Sequence, residues 1–126
     1  MFDPNPVNWG EMEWEVVRPG VKRKVFHGRG CTMVLNYLEP GHQPRPHKHA
    51  HEQLVYIVQG EGNFTIGSKA YRLRSGSLLA VPPDAEHFLQ VLGSETCIDL
   101  DVFVPKREDY MESPMKGQTY APKSKK

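Results

Sequence analysis

The residues best suited to chemistry lie between Gly41 and Gly60, in the segment GHQPRPHKHAHEQLVYIVQG. His47 and His49 stand two apart, Gln53 follows, and an apolar run begins at once. In extended chain, residues two apart point to one face, so both imidazoles can reach one ion. Gln53 shares parity with Val55 and Ile57, whereas Glu52 shares it with Leu54, Tyr56 and Val58 and should point away. His51 has the parity of His49, but a turn is expected between them. A second segment, GSLLAVPPDAEHFLQV, places His87 on another strand candidate. Three imidazoles and one amide oxygen make a ligand set for one divalent ion, Zn²⁺, Ni²⁺, Fe²⁺ or Mn²⁺. A catalytic site would keep a position open for water or substrate. HKHAH by itself is explained equally well as a solvated loop; the Gly41 turn, the Gln53 strand and the Pro-rich turn into His87 favour the metal. Neutral ligands leave the full charge on the ion. That favours an anionic substrate and polarisation of its oxygen, and disfavours O₂ activation, for which two His and one carboxylate are usual.

Short strand-like runs must position these groups: Thr32–Glu39, Gln53–Val58, Asn63–Ile66, Ala70–Leu73, Ser77–Val81, Phe88–Leu92 and Thr96–Val104. Gly and Pro punctuate them, no window shows comparable helical periodicity, and one short turn is expected near Lys106–Met111. The reading is all-β and single-domain, a sandwich, jelly roll or small barrel. Residues 1–20 form an irregular N-terminal arm, 21–112 the β domain and 113–126 a polar, basic tail. The last run alternates sharply: Ile98, Leu100, Val102 and Val104 on one face, Cys97, Asp99, Asp101 and Phe103 on the other. Periodicity alone reads this as a half-buried strand with solvated acids, followed by a charged surface turn. Leu54, Tyr56 and Val58 oppose Val55 and Ile57, so both faces of that strand need cover, and a homodimer is expected.

A net charge of +1 and a pI near 7.8 argue against a nucleic-acid or membrane-surface partner. The apolar runs fall well short of the roughly 20 residues of a membrane span. The N-terminus has acids and prolines where a signal peptide would be basic and then apolar. Cys31 and Cys97 stand in apolar-alternating segments outside any CxxC pair, as reduced thiols of a cytoplasmic protein would.

Gly41, His47, His49, Gln53 and Gly60, followed by Gly76, Pro82 or Pro83, and His87, resemble the two motifs of the cupins, over about residues 20–112. Gln53 stands where most cupins carry Glu, and Ala85 is read at the glycine of the second motif. The resemblance implies a cupin jelly-roll β-barrel with the metal inside its mouth. The stretches HKHAHEQ and IDLDVFVPKREDYM look like KdgF-type pectin-degradation cupins. Those act on 4,5-unsaturated monouronates from pectin or alginate and promote conversion to linear 5-keto-4-deoxyuronate. By that resemblance Asp101 would be general base or acid, Arg107 would clamp the carboxylate of a small anionic sugar, and Phe103 would pack on the sugar face. Arg45 is a second candidate for the carboxylate, though a solvated loop arginine is the plainer reading. The rival expectations are an iron dioxygenase, which would consume oxygen, and a sugar- or metabolite-binding cupin without turnover.

Overall fold

The alternation in the sequence resolves into two antiparallel sheets. The computed structural model describes residues 6–112 and 118–119. In chain order the strands are β1 (Glu15–Arg18), β2 (Val21–His27), β3 (Thr32–Leu38), β4 (Glu52–Gln59), β5 (Glu61–Ile66), β6 (Lys69–Arg74), β7 (Leu78–Val81), β8 (His87–Leu92), β9 (Cys97–Val104) and β10 (Gln118–Thr119). The larger sheet runs β1-β2-β3-β9-β4-β7, with β10 parallel to β2, and the smaller runs β6-β5-β8. Together they form an all-β jelly roll around a core that includes Ile57, Phe64, Leu73, Val81, Leu89 and Val91. The turn after β9 is a 3-10 segment, Glu108–Glu112. Among the described residues, no helix is long and apolar enough to cross a membrane.

β4 alternates as its sequence requires. Gln53, Val55 and Ile57 are buried, and Leu54, Tyr56 and Val58 are exposed on the outer face. β9 corrects the reading of its acids as solvated: Asp99 and Asp101 are buried with Cys97 and Phe103. The reason is topological. β9 lies between β3 and β4, and its register places Phe103 beside Gln53, Asp101 beside Val55 and Asp99 beside Ile57. Paired residues share a face, so the acids follow Gln53 inward while Ile98, Leu100 and Val102 are half-buried outside.

β1 and β2 were not read from the sequence, because VKRKVFH carries three cations among its apolar residues. The N-terminal arm accommodates them. Lys22 lies over the rings of Trp14 and Tyr37, and Lys24 lies over Trp14 and donates from Nζ to the Trp9 carbonyl at 2.6 Å. Their stems cover apolar surface while the charges meet π faces and a carbonyl. The arm contains a 3-10 turn at Trp9–Glu11 and ends in β1. Where β4 gives way to β5 in the other sheet, Gly60 adopts φ 87°, and a Cβ there would meet the Thr96 carbonyl oxygen at 2.7 Å. Only glycine fits that approach. Most of the expected 113–126 tail lies outside the described residues.

Candidate metal centre

The histidine loop is stapled to the start of β8 by its backbone. His47 N–H donates to the His87 carbonyl at 3.1 Å, and His87 N–H returns the bond to His47 at 2.9 Å. Asp84 N–H donates to the His49 carbonyl at 2.7 Å. These contacts bring the imidazoles of His47, His49 and His87 together, with ligand atoms within 4.8 Å of one another. The turn before His87 also corrects the motif reading. The left-handed residue is Asp84, at φ 66°, so the glycine position of the motif falls on Asp84 and Ala85 needs no special backbone. Aspartate tolerates that conformation better than most side chains.

Each imidazole is oriented by a carbonyl. Nδ1 of His47 donates to Arg45 O at 2.8 Å, Nδ1 of His49 to His51 O at 3.0 Å, and Nδ1 of His87 to Ala85 O at 2.8 Å. A carbonyl only accepts, so each Nδ1 carries the proton and each Nε2 is left with its lone pair. Burial lowers the pKa of His87 to about 4, and burial with the Arg107 charge lowers that of His49, so both stay neutral. His51 contributes its carbonyl to this arrangement; its ring is not one of the converging three.

Gln53 stands beside these imidazoles. Its amide oxygen faces His49. That oxygen lies 3.1 Å from Nε2 of His49, two acceptors in contact. Two ligands at right angles about one ion at ~2.1 Å would be about 3 Å apart, so a divalent cation resolves the contact. Nε2 of His87 is buried without a hydrogen-bond partner, as a metal ligand would be before its ion arrives. The donor set fits a divalent metal and does not choose which.

The carboxyl groups stand on the adjoining strand. Asn36 Nδ2 donates to Asp101 Oδ2 at 2.9 Å. Burial pushes Asp101 up to about 6, while hydrogen bonds from Asp99, Gln53 and Asn36 and the charge of Arg107 pull it back. Burial and the neighbouring Asp101 push Asp99 well above the usual carboxylate range. Both carboxyls of the pair therefore take up a proton more readily than a free carboxylate does. Burial raises Cys97 to about 12, with Asp99, Asp101 and Glu95 adding to it, so its thiol stays protonated and inert. Cys31 and Cys97 are both free.

A cavity of about 130 Å³ connects these groups, lined by His47, Gln53, His87, Asp99, Asp101 and Phe103, with Arg18, Arg23 and Arg45 among the remaining walls. It is small beside the roughly 300 Å³ and more of pockets for drug-sized ligands, which suits a single small metabolite. Phe103 sits edge-on to His49 at 5.2 Å and reaches the cavity wall. Arg107 is placed differently from expectation. It is buried, its Nε and Nη2 bind Asp109 at 3.0 and 2.7 Å, its guanidinium lies over Phe103 and Tyr110, and it does not line the cavity. Its backbone N–H donates to Thr32 Oγ1 at 2.9 Å, and that hydroxyl also meets Nδ1 of the buried His27 at 2.8 Å. Sequence reasoning missed Thr32, His27 and Asn36. Asp99 was legible as the same-face neighbour of Asp101, and Asn36 as a lone amide in the apolar run TMVLNYL.

Comparison with known proteins agrees with this fold. The chain is 29% identical to KdgF from Halomonas sp., with a TM-score of 0.74, covering 81% of this chain and 94% of that one. An RmlC-like cupin from Shewanella frigidimarina is 28% identical, with a TM-score of 0.75, over 82% of this chain and 93% of that one. Among curated proteins, the dimethylsulfoniopropionate lyase DddW of Ruegeria pomeroyi is 35% identical over 81 residues, 63% of this chain and 50% of the lyase. The chain thus spans about half the length of that relative. The cupin domain family matches residues 34–103, the span from β3 through Phe103 of β9, and the chain belongs to the cupins.

Proposed function

We propose that this cupin is a metal-dependent isomerase that opens the ring of a 4,5-unsaturated monouronate to give linear 5-keto-4-deoxyuronate. The observation that carries the reading is the placement of Asp101, a buried carboxylate with a raised pKa, against Gln53 of the metal-ligand set and on the same cavity wall. Likeness to KdgF from Halomonas sp. across nearly its whole length supports the substrate class.

The reaction moves one proton and loses no atoms. Asp101 accepts the proton of the anomeric hydroxyl; the C1–O5 bond breaks, C1 becomes an aldehyde and the electron pair leaves on O5 as an enolate. Protonation at C4 then gives the 5-ketone, and the carboxyl formed on Asp101 is a donor of the required acidity. His47, His49, Gln53 and His87 would hold the divalent ion, which supplies Lewis-acid stabilisation of negative charge on substrate oxygen. Asn36 donates to Asp101 and keeps its carboxylate oriented. Phe103 packs the sugar face and limits water.

The test is anaerobic turnover of 4,5-unsaturated galacturonate by metal-loaded protein, read as loss of enol-ether absorbance. Acceleration by wild type and not by Asp101→Asn supports the reading, and a rate equal to the spontaneous one sinks it. A second reading, a lyase acting on a small carboxylate, is favoured by the 35% identity to the Ruegeria protein, and consumption of dimethylsulfoniopropionate would establish it.

The assembly we infer is a homodimer. Leu54, Tyr56 and Val58 on β4 and Leu78 on β7 form an exposed apolar face on the outside of the larger sheet, and a second copy offers the same face in return. Light scattering at micromolar concentration should give twice the chain mass, and a monomer there would dismiss the dimer.

A further inference from the structure

The arginines around the cavity differ in what they hold. Arg107 has its fork on Asp109, and Arg23 has its own on Glu15, at 3.1 and 3.5 Å. Arg18 and Arg45 line the same cavity as His47 and Asp101, yet among the described residues neither meets a carboxylate. Arg18 Nε donates to the Gln43 carbonyl at 3.2 Å, which ties the end of β1 to the loop carrying Arg45, and among the described residues its terminal nitrogens meet no acceptor. The Arg45 carbonyl holds Nδ1 of His47, so this cationic loop and the first metal ligand form one connected piece. Arg18 is half-buried and Arg45 exposed, which puts the pair at the rim. Burial lowers the Arg18 pKa and the charge of Arg45 lowers it further, so the two cations sit in each other's field without a counter-ion.

The position of Arg107 sharpens the contrast. Its backbone is held by Thr32 at one end of β3, whereas Arg18 pairs with Val21, and Val21 with Leu38, at the other. Thr32 and Leu38 are six strand steps apart, about 20 Å of backbone at roughly 3.4 Å each. The two arginine stations are therefore anchored at opposite ends of β3, and only that of Arg18 and Arg45 is without a carboxylate partner among the described residues and lines the cavity.

We propose that Arg18 and Arg45 form the anion subsite of this cavity and hold the carboxylate of the substrate. The inference deepens the isomerase reading and rests on it for the identity of the anion as a sugar acid. Two guanidiniums from separate elements on the wall of one cavity supply planar, charged donors matched to a carboxylate, and its arrival relieves their mutual repulsion.

The test is calorimetric binding of saturated galacturonate, which cannot undergo the reaction, to metal-loaded full-length protein, with its neutral methyl ester in parallel. Wild type should prefer the acid. Arg18→Gln and Arg45→Gln should each weaken the acid about 10-fold or more, as expected for a lost hydrogen bond to a charged group, and leave the ester unchanged. The double Lys variant should recover part of the loss, since charge remains while the fork is gone. Thermal melts of all variants check that the fold persists. Equal affinity for acid and ester, no binding of the acid by wild type, or full acid affinity in the double Gln variant would each overturn the subsite. Arginine-dependent acid binding without turnover of the unsaturated sugar would keep the subsite and remove the isomerase reading.

Discussion

The two sheets turn unlike inner faces toward one interior. From the smaller sheet come Phe64, Leu73, Leu89 and Val91, with His87 the polar member of the set. From the larger sheet come Gln53, Asn36, Arg23, Asp99 and Asp101, interleaved with Val34, Val55 and Ile57. The small sheet supplies mainly packing, and the large sheet carries groups whose burial costs stability unless they are paired. Asp99 and Asp101 show that cost directly, since each has one buried oxygen with no hydrogen-bond partner. Natural proteins tolerate such groups chiefly where they serve a reaction.

Substitutions on the two sheets should therefore separate activity from stability. The largest effect is expected at Asp101→Asn, which keeps shape and removes the base. Turnover of the unsaturated uronate should fall about 10²- to 10⁴-fold while the melting temperature does not drop. A comparable loss from a substitution on the packing sheet would break the contrast. Leu73→Ala, on β6, should cost about 2–5 kcal/mol in denaturant unfolding while the folded fraction keeps its turnover rate. Thr32→Val comes next. It strands the backbone N–H of Arg107, at about 1–3 kcal/mol, and chemical denaturation reads that loss directly.

Asp99→Asn should have the smallest effect and the opposite sign. A carboxyl whose folded pKa is raised binds more protons in the native state, so its adverse contribution is absent below the unfolded value of about 4 and grows as pH rises toward the folded value. The metal-free Asn variant should match wild type near pH 4 and melt higher than wild type at pH 8. A lower melting temperature at pH 8 would show that the Asp99 charge is compensated by something other than a proton.

The clustering of the histidine loop was legible because its signal is local. His47, His49 and Gln53 lie within seven residues, and strand parity alone assigns their faces. The inward acids were not legible from periodicity, since the alternation of β9 shows two faces without saying which meets the cavity. That is decided by insertion between β3 and β4, partners distant in sequence, and the aliphatic face lost the inner position. The likeness of IDLDVFVPKREDYM to a known family singled out Asp101 and Phe103, and both line the cavity. It also singled out Arg107, whose engagement by Asp109, two residues on, is a tertiary outcome that spacing does not reveal. β2 was hidden because Lys22 and Lys24 look solvent-facing until Trp14 is folded over them.

The insertion of β9 also orders the birth of the site in time. A ribosome delivers His47, His49, Gln53 and His87 before it delivers β9, so a nascent chain can bring these side chains together while β3 and β4 still present open edges to one another. Long-range strand pairing is slow, and unpaired edges are the exposed stage of such folding. An early ion would organise the loop and β8 around a half-built sheet, and β9 would arrive last, sealing those edges as it brings the carboxyl groups into place.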